Sequence, residues 1–348
     1  MKKWGLARTA LAELRLAGQI IPDQSVLISA IPLLEAKDSS EIENIVTTND
    51  ALFREASLGD EDGDPAAKEA LRYRTALYHG LRSLKETTPL SPRTAVEICQ
   101  IVTGIDLDVR AIPVTLTNKH TGEVIYTPPQ EQERVRSLLG NWAEYLHRSE
   151  DGLDPLIRMA ILHYQFEAIH PFSDGNGRTG RILNLLYLID SGLLDLPTLY
   201  LSRYVLRTRG DYYRLLERVT THQEWEPWIL YMLTAVDETS TWTTQKIRAI
   251  RALMDETNTT VRERAPKTYS RDLIDLIFTQ PYSRIANLVD RGIAKRQAAS
   301  AYLKDLAAIG VLTEEKVGRD KIFLHRKYLD LLSSDEHTFE PYPRAAPG

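Results

Sequence analysis

The chain has 348 residues, of which 43% are hydrophobic and 26% charged, a composition that excludes wholesale disorder and leaves room for two or three domains. A single cysteine, Cys99, excludes an internal disulfide and a CxxC metal site, and it suits a reducing, cytoplasmic compartment. The net charge of −5 is uneven: residues 267–328 hold twelve basic and seven acidic side chains, which leaves −10 for the rest. A basic module on an acidic body predicts two jobs.

In chain order the periodicity predicts a mainly α protein. The opening MKKWGLARTALAEL is interrupted by Arg8 and Glu13 and reads as an amphipathic helix over 4–18 rather than a signal peptide. No run of about 18 apolar residues occurs, so no membrane association is expected. Helical spacing continues over 26–46, 66–84 and 91–103, with a glycine- and acid-rich loop at 59–64. Residues 111–129 then change pattern. Two β-rich runs flank the polar turn at 118–122, and Pro128 and Pro129 stop the second, which predicts a hairpin. Helices follow over 132–147 and from Pro155, with Asp154 as cap, to 169. Further helices are expected over 178–189, 208–219 and 225–250. The division predicted is a helical region over 1–84, a core over 85–250, a linker over 251–266, a small domain over 267–332 and a disordered tail over 333–348.

The segment HPFSDGNGRTGR at 170–181 is dense in chemistry. Gly175 and Gly177 permit a loop whose N–H groups point into one concavity, and a helix starting near Arg178 adds its dipole there. That is an anion site with phosphate as the usual guest. Arg178 and Arg181, three apart, reach further phosphates. Asp174 is an acid in a positive cradle, which suggests Mg²⁺. His170 at the loop's edge is the natural general base. Gly175, Gly177 and Gly180 also match the spacing of a dinucleotide fingerprint, but the run before them is helical where that fold needs a strand. His163, seven residues earlier on the same helix face, reads as a packed structural residue, and His79, His120, His147 and His222 show no metal-ligand spacing.

The segment resembles the HxFx(D/E)GNGRxxR signature of Fic-domain proteins at every defined position. The hairpin ending in Tyr126, Thr127 and the two prolines resembles that family's flap, and the similarity extends over roughly 30–245. The resemblance implies a Fic fold and an adenylyltransferase that moves AMP from ATP to a Ser, Thr or Tyr hydroxyl of a protein, autoadenylylation included. It implies His170 as base and Asp174 as the Mg²⁺ ligand. Gly175, Asn176 with its side chain, and Gly177 would form the anion hole. Gly180 would belong to the nucleotide-binding set, and Arg178 and Arg181 would bind the distal phosphates. Phe172 would anchor the loop in the core, and Tyr212 and Tyr213 would flank the nucleoside. Ile125, Tyr126 and Thr127 of the flap would bind the target. An enzyme of this fold with another donor, or one that removes AMP, shares all of these features.

Ser39-Ser-Glu-Ile-Glu43-Asn44 resembles the family's (S/T)xxxE(G/N) inhibitory motif, placed N-terminal to the active site. Ser39 and Glu43 are four apart on one helix face. A bidentate Glu43–Arg181 pair would occupy the arginine meant for the γ-phosphate. The basic segment reads as helix, helix, turn, helix and hairpin, and resembles a winged helix-turn-helix. On DNA, Arg296 and Gln297 would read base edges, and Lys295, Arg319 and Lys321 would meet phosphates. Protein docking or homodimerisation is the competing use of such a module, and a DNA-binding regulator that senses nucleotide through its core is the competing function.

Overall fold

The computed structural model describes residues 2–59, 63–86, 89–117, 122, 124–148, 151–317 and 320–343. The expected turn at 118–121 and Arg319 lie outside them. The first helices are α1 (Lys2–Ala17), α2 (Ser25–Ile42), α3 (Asn49–Leu58), α4 (Pro65–Lys85) and α5 (Pro92–Thr103). A two-stranded hairpin of β1 (Leu116–Thr117) and β2 (Val124–Tyr126) follows. Next come α6 (Gln132–Leu146), α7 (Pro155–Ile169), α8 (Asn176–Asp190), α9 (Leu201–Arg207), α10 (Arg209–His222) and α11 (Trp225–Arg264). The C-terminal unit is α12 (Arg271–Thr279), β3 (Tyr282–Ser283), α13 (Ile285–Asp290), α14 (Arg296–Ala308), β4 (Thr313–Val317), β5 (Asp320–Leu324) and α15 (Arg326–Ser333), with its sheet in the order β3-β5-β4. The three helices and hairpin read from the sequence correspond to α12, α13, α14 and β4–β5, and β3 joins them as a third strand.

Local signals set several boundaries. Asp154 Oδ1 accepts from the Leu156 amide at 2.8 Å, with Pro155 in the first turn of α7. Ser91 caps α5, and Gly104 at φ 72° closes it. Pro32 lies inside α2. It lacks the N–H that would bond the Ile28 carbonyl, and the Tyr78 hydroxyl donates to that carbonyl instead.

One continuous apolar core runs from Ala7 to Tyr342, so the helical region over 1–84 packs into the same body as the rest. Helix α1 packs along α11, and α2 packs on α4 and α9. The linker expected over 251–266 is absent: α11 continues unbroken to Arg264. Thr257 and Val261 are fully buried there, and Thr257 Oγ1 donates to the Leu253 carbonyl at 2.7 Å. Threonines that bond back into their own helix are polar in composition yet compatible with burial. The helix ends at Arg264, and its C-cap Ala265 leaves the helical region before Pro266, as sterics favour.

The tail expected to be disordered is packed as far as residue 343. Lys246, buried in α11, donates to the carbonyls of Leu331, Ser334 and Glu336 at 2.7, 2.8 and 2.6 Å. Tyr342 is buried, its amide donates to Glu256 Oε1 at 2.7 Å, and its hydroxyl pairs with Thr257 Oγ1 at 3.1 Å. Residues 344–348 lie outside the described residues.

Candidate active site

Helix α7 ends on His170, which takes φ 50°, a left-handed conformation that costs a non-glycine residue about 1 kcal/mol. Arg110 supports this turn. Its Nε donates to the His170 carbonyl at 2.8 Å, its Nη2 reaches the Pro129 carbonyl, and its backbone N–H donates to Pro171 O at 2.9 Å. One buried guanidinium thus ties the base of the flap to the start of the loop. Sequence reasoning missed Arg110, because nothing in its neighbourhood marks it.

Phe172 is fully buried against Phe166, with ring centroids 6.2 Å apart. The Asn176 amide closes the loop on itself: Oδ1 accepts from Phe172 N and Nδ2 donates to Phe172 O, both at 2.9 Å. The Asn176 side chain is therefore committed to the loop backbone and does not line an anion hole, which corrects the reading from sequence. Gly175 takes φ 79°, and a Cβ there would stand 2.8 Å from Thr103 Cγ2. Helix α8 opens at Asn176 with no side-chain cap, so its first N–H groups stay open to a ligand.

Arg181 is 1% exposed and has three acceptors. Nε donates to Ser39 Oγ at 2.8 Å, and Nη2 donates to Ser39 O and to Glu43 Oε1, each at 2.9 Å. The pair with Glu43 is thus through one nitrogen, not bidentate, because Ser39 occupies the other edge of the guanidinium. The Glu43 carboxylate also lies against Gly177, where a Cβ would meet Oε1 at 2.3 Å. Burial raises the Glu43 carboxyl, but the Arg181 charge and hydrogen bond outweigh it and the net shift is downward, so Glu43 is ionised at neutral pH. Asn44 follows at φ 68° and accepts from Arg209 Nη1 at 3.1 Å. Asn tolerates that conformation, which ends α2 and leaves Glu43 at its tip.

Two buried acids that the sequence did not single out hold α2 in place. Glu35 accepts from Ser202 N at 2.8 Å and Tyr73 OH at 3.1 Å, and Asp38 accepts from Tyr200 OH at 2.6 Å. Arg178 is also less open than expected. It is 2% exposed and pairs with Glu69 of α4, with Asp174 Oδ2 at 3.6 Å. Asp174 itself is 66% exposed at the mouth of the loop, and Oδ1 accepts from the Gly175 amide at 2.7 Å. Among the described residues no cluster of three or more His, Cys, Asp or Glu groups is disposed to hold a metal unaided.

Burial, with the Arg110 charge beside it, pushes His170 down to about 4, partly offset by the Glu167 carbonyl. The imidazole is therefore neutral at pH 7. Its Nδ1 is buried without a full hydrogen bond, which leaves Nε2 as the nitrogen for a substrate. Burial pushes Glu167 up to about 7, against the pull of Arg181.

The remaining candidates divide. Tyr212 is 1% exposed, bonded to His163 Nε2 at 2.8 Å and packed on Trp228. It is a core residue and cannot flank a nucleoside, because its ring has no free face. Tyr213 is 43% exposed beside Arg209 and keeps an open face. His163 is buried and stacked on Trp228, as a structural residue should be. On the flap, Ile125 is 53% exposed and Thr127 is exposed, while Tyr126 OH donates to Ala168 O at 2.8 Å and anchors the hairpin to α7. In the C-terminal unit Lys295, Arg296 and Gln297 are exposed, and Lys321, half-exposed, is paired with Glu314.

Comparison with known proteins converges on one family. The Fic/DOC family model matches residues 89–188, the Fic/DOC N-terminal model matches 1–82, and the model of the C-terminal domain of SoFic-like protein adenylyltransferases matches 253–328. Protein adenylyltransferase fic-1 of Caenorhabditis briggsae is 32% identical over 149 residues, 42% of this chain and 27% of that protein. A probable protein adenylyltransferase of Aquifex aeolicus is 37% identical over 82 residues, 24% of each. These alignments span about a quarter of the relatives' length. Among solved structures, a Fic family protein from Desulfovibrio desulfuricans aligns over 92% of this chain and 95% of its own at TM-score 0.53 and 19% identity. Fic-1 from C. elegans aligns over 70% of each chain at TM-score 0.54 and 22% identity. With the HPFSDGNGRTGR loop set between α7 and α8 and models of this family matching in all three parts of the chain, the protein belongs to the Fic/DOC family.

Proposed function

We propose that this protein transfers AMP from ATP to a hydroxyl of a polypeptide and that Glu43 restrains the reaction. The observation that carries the reading is the juxtaposition, within one loop, of uncapped helix N–H groups, Arg181 and a neutral imidazole. The N–H groups of α8 and Arg181 bind and orient the phosphates, so that charge developing on the transferred group meets fixed donors. His170 Nε2 accepts the proton of the incoming hydroxyl. The hydroxyl oxygen bonds to the α-phosphorus as the bond to pyrophosphate breaks, and pyrophosphate leaves. A single exposed carboxylate, Asp174, suits Mg²⁺, which keeps mostly phosphate and water oxygens as ligands. When bound there, Mg²⁺ would neutralise phosphate charge. The flap's exposed Ile125 and Thr127 would hold the acceptor segment, and segments of this same chain are candidates for self-modification.

Glu43 places a carboxylate where an anionic phosphate would meet Arg181 and Gly177. ATP must displace it to bind in the productive pose. In the C-terminal unit, α14 packs chiefly on α13 and β4 and turns Lys295, Arg296 and Lys304 outward, which favours a polyanion such as duplex DNA there.

The test uses wild-type, Glu43→Gly and His170→Ala proteins with Mg²⁺, a cell extract, and ATP labelled at the α or, separately, the γ position. The expected result is protein label from the α position alone, strongest in Glu43→Gly. His170→Ala should lose a factor of about 10² to 10⁴. Label from the γ position would mean phosphorylation, and label unaffected by His170→Ala would overturn the assignment of the base.

A further inference from the structure

A groove of about 630 Å³ lies outside the loop, on the outer side of α7, between α6, α7 and the start of α11. Its walls are Tyr145, Ile161, Tyr164 and Trp225. They are fixed before any ligand arrives. Tyr164 OH pairs with Thr220 Oγ1 at 3.0 Å, Trp225 meets the Tyr164 ring edge-on at 4.9 Å, and Arg158 covers the Tyr145 ring at 4.8 Å. Two amides line the groove. Gln165 Nε2 donates to Asn141 Oδ1 at 2.9 Å, which leaves Gln165 Oε1 as an acceptor and Asn141 Nδ2 as a donor. An acceptor beside a donor is the complement of a peptide unit. The lining charges, Glu144 and Arg148, are of opposite sign, so the groove does not select an ion.

The groove and the anchor point of the flap share one face of α7. Ile161, Gln165 and Ala168 stand at i, i+4 and i+7 on one face of α7, and the Ala168 carbonyl is where Tyr126 anchors the hairpin. Among the described residues strand β2 pairs with β1 on one side only, which leaves an edge for an incoming strand. Along α7 the groove lies about 7–14 Å from His170, at 1.5 Å per residue. An extended chain covers that distance in about two to four residues.

We propose that this groove holds an aromatic side chain of the acceptor polypeptide, two to four residues from the hydroxyl presented to His170, and so selects the segment to be modified. The inference rests on the transfer reading above. Flat apolar walls and an open amide pair suit an extended segment with one aromatic residue.

The test uses fluorescein-labelled Gly/Ala dodecapeptides with one central Ser and one Phe moved from five residues before it to five after. With the Glu43→Gly protein and α-labelled ATP, kcat/KM should peak with Phe two to four residues from Ser, about tenfold above the Phe-free peptide. Tyr164→Ala and Gln165→Lys should flatten the peak with the KM for ATP unchanged. A flat profile in Glu43→Gly, or a peak that survives both substitutions, overturns the proposal. Should Glu43→Gly transfer nothing, the transfer reading falls, and anisotropy of the same peptides on wild-type protein decides the groove. Binding that needs Phe and is lost in Gln165→Lys upholds a peptide site, and its absence overturns it. Self-association abolished by Gln165→Lys would assign the groove to a second copy and overturn it too.

Discussion

The loop at 170–175 and the chain beyond Ser333 both lack regular secondary structure, and different forces hold them. The loop is closed by its neighbours: Asn176 bonds both backbone groups of Phe172, four residues away, and Phe172 fills the core beneath. The tail is held from about ninety residues away, by a buried lysine in α11 and a tyrosine inserted beside Thr257. A loop closed over four residues stays in shape while the rest of the molecule breathes, which suits a site that must present N–H groups to a phosphate. A tail held at long range adds stability without shaping the chemistry.

Changes on each side should separate these roles. Asn176→Ala leaves the buried amide and carbonyl of Phe172 without partners, a penalty of about 2–4 kcal/mol. AMP transfer in a Glu43→Gly background should fall at least about a hundredfold, read as initial rate, and nucleotide affinity should fall with it. Acidity probes the same loop. A base held near 4 is deprotonated throughout the neutral range, so kcat/KM should stay level from pH 8 to about 5 and decline only below that. A decline already centred near pH 6.5 would mean that the His170 ring is solvated.

The tail should respond in stability alone. Lys246→Met strands three carbonyls and should lower the melting temperature by several degrees, while labelling of folded protein at 25 °C stays within about twofold of the parent. Tyr342→Phe removes the hydroxyl's bond to Thr257 and its longer contact with His325 Nε2 at 3.4 Å, and should cost about 1–2 kcal/mol, measured by urea denaturation. An equal effect of both substitutions on the rate would erase the distinction between loop and tail.

The same distinction governs what could be read from the sequence. The dense segment at 170–181 was legible because its roles are built from residues a few positions apart, and so was the Ser39–Glu43 face of α2. Asn176 was misassigned, because a polar residue in a phosphate loop reads as a ligand contact whether it faces the ligand or the backbone. Arg110, Glu69 and Glu35 were missed because each acts on a partner remote in sequence and carries no local signature. The linker and the tail were misread for different reasons: Thr257 hides its hydroxyl on its own helix, whereas the polar tail is drawn in by Tyr342 through partners on α11 remote in sequence. Most helices were legible from periodicity but the short α3, α9 and α15 were not, and the continuity of α11 depended on α1 and the tail lying along it.

The central claim is that Glu43 limits transfer by holding Arg181, and a comparison of initial rates tests it most directly. Wild-type, Glu43→Gly, and the double variant Glu43→Gly with Arg181→Ala would each be given α-labelled ATP at the same concentration. The account predicts a rise of at least tenfold on removing Glu43 and a return to or below the wild-type rate when Arg181 is removed as well. A double variant as fast as Glu43→Gly alone would contradict it, because the released arginine would then have no part in the reaction.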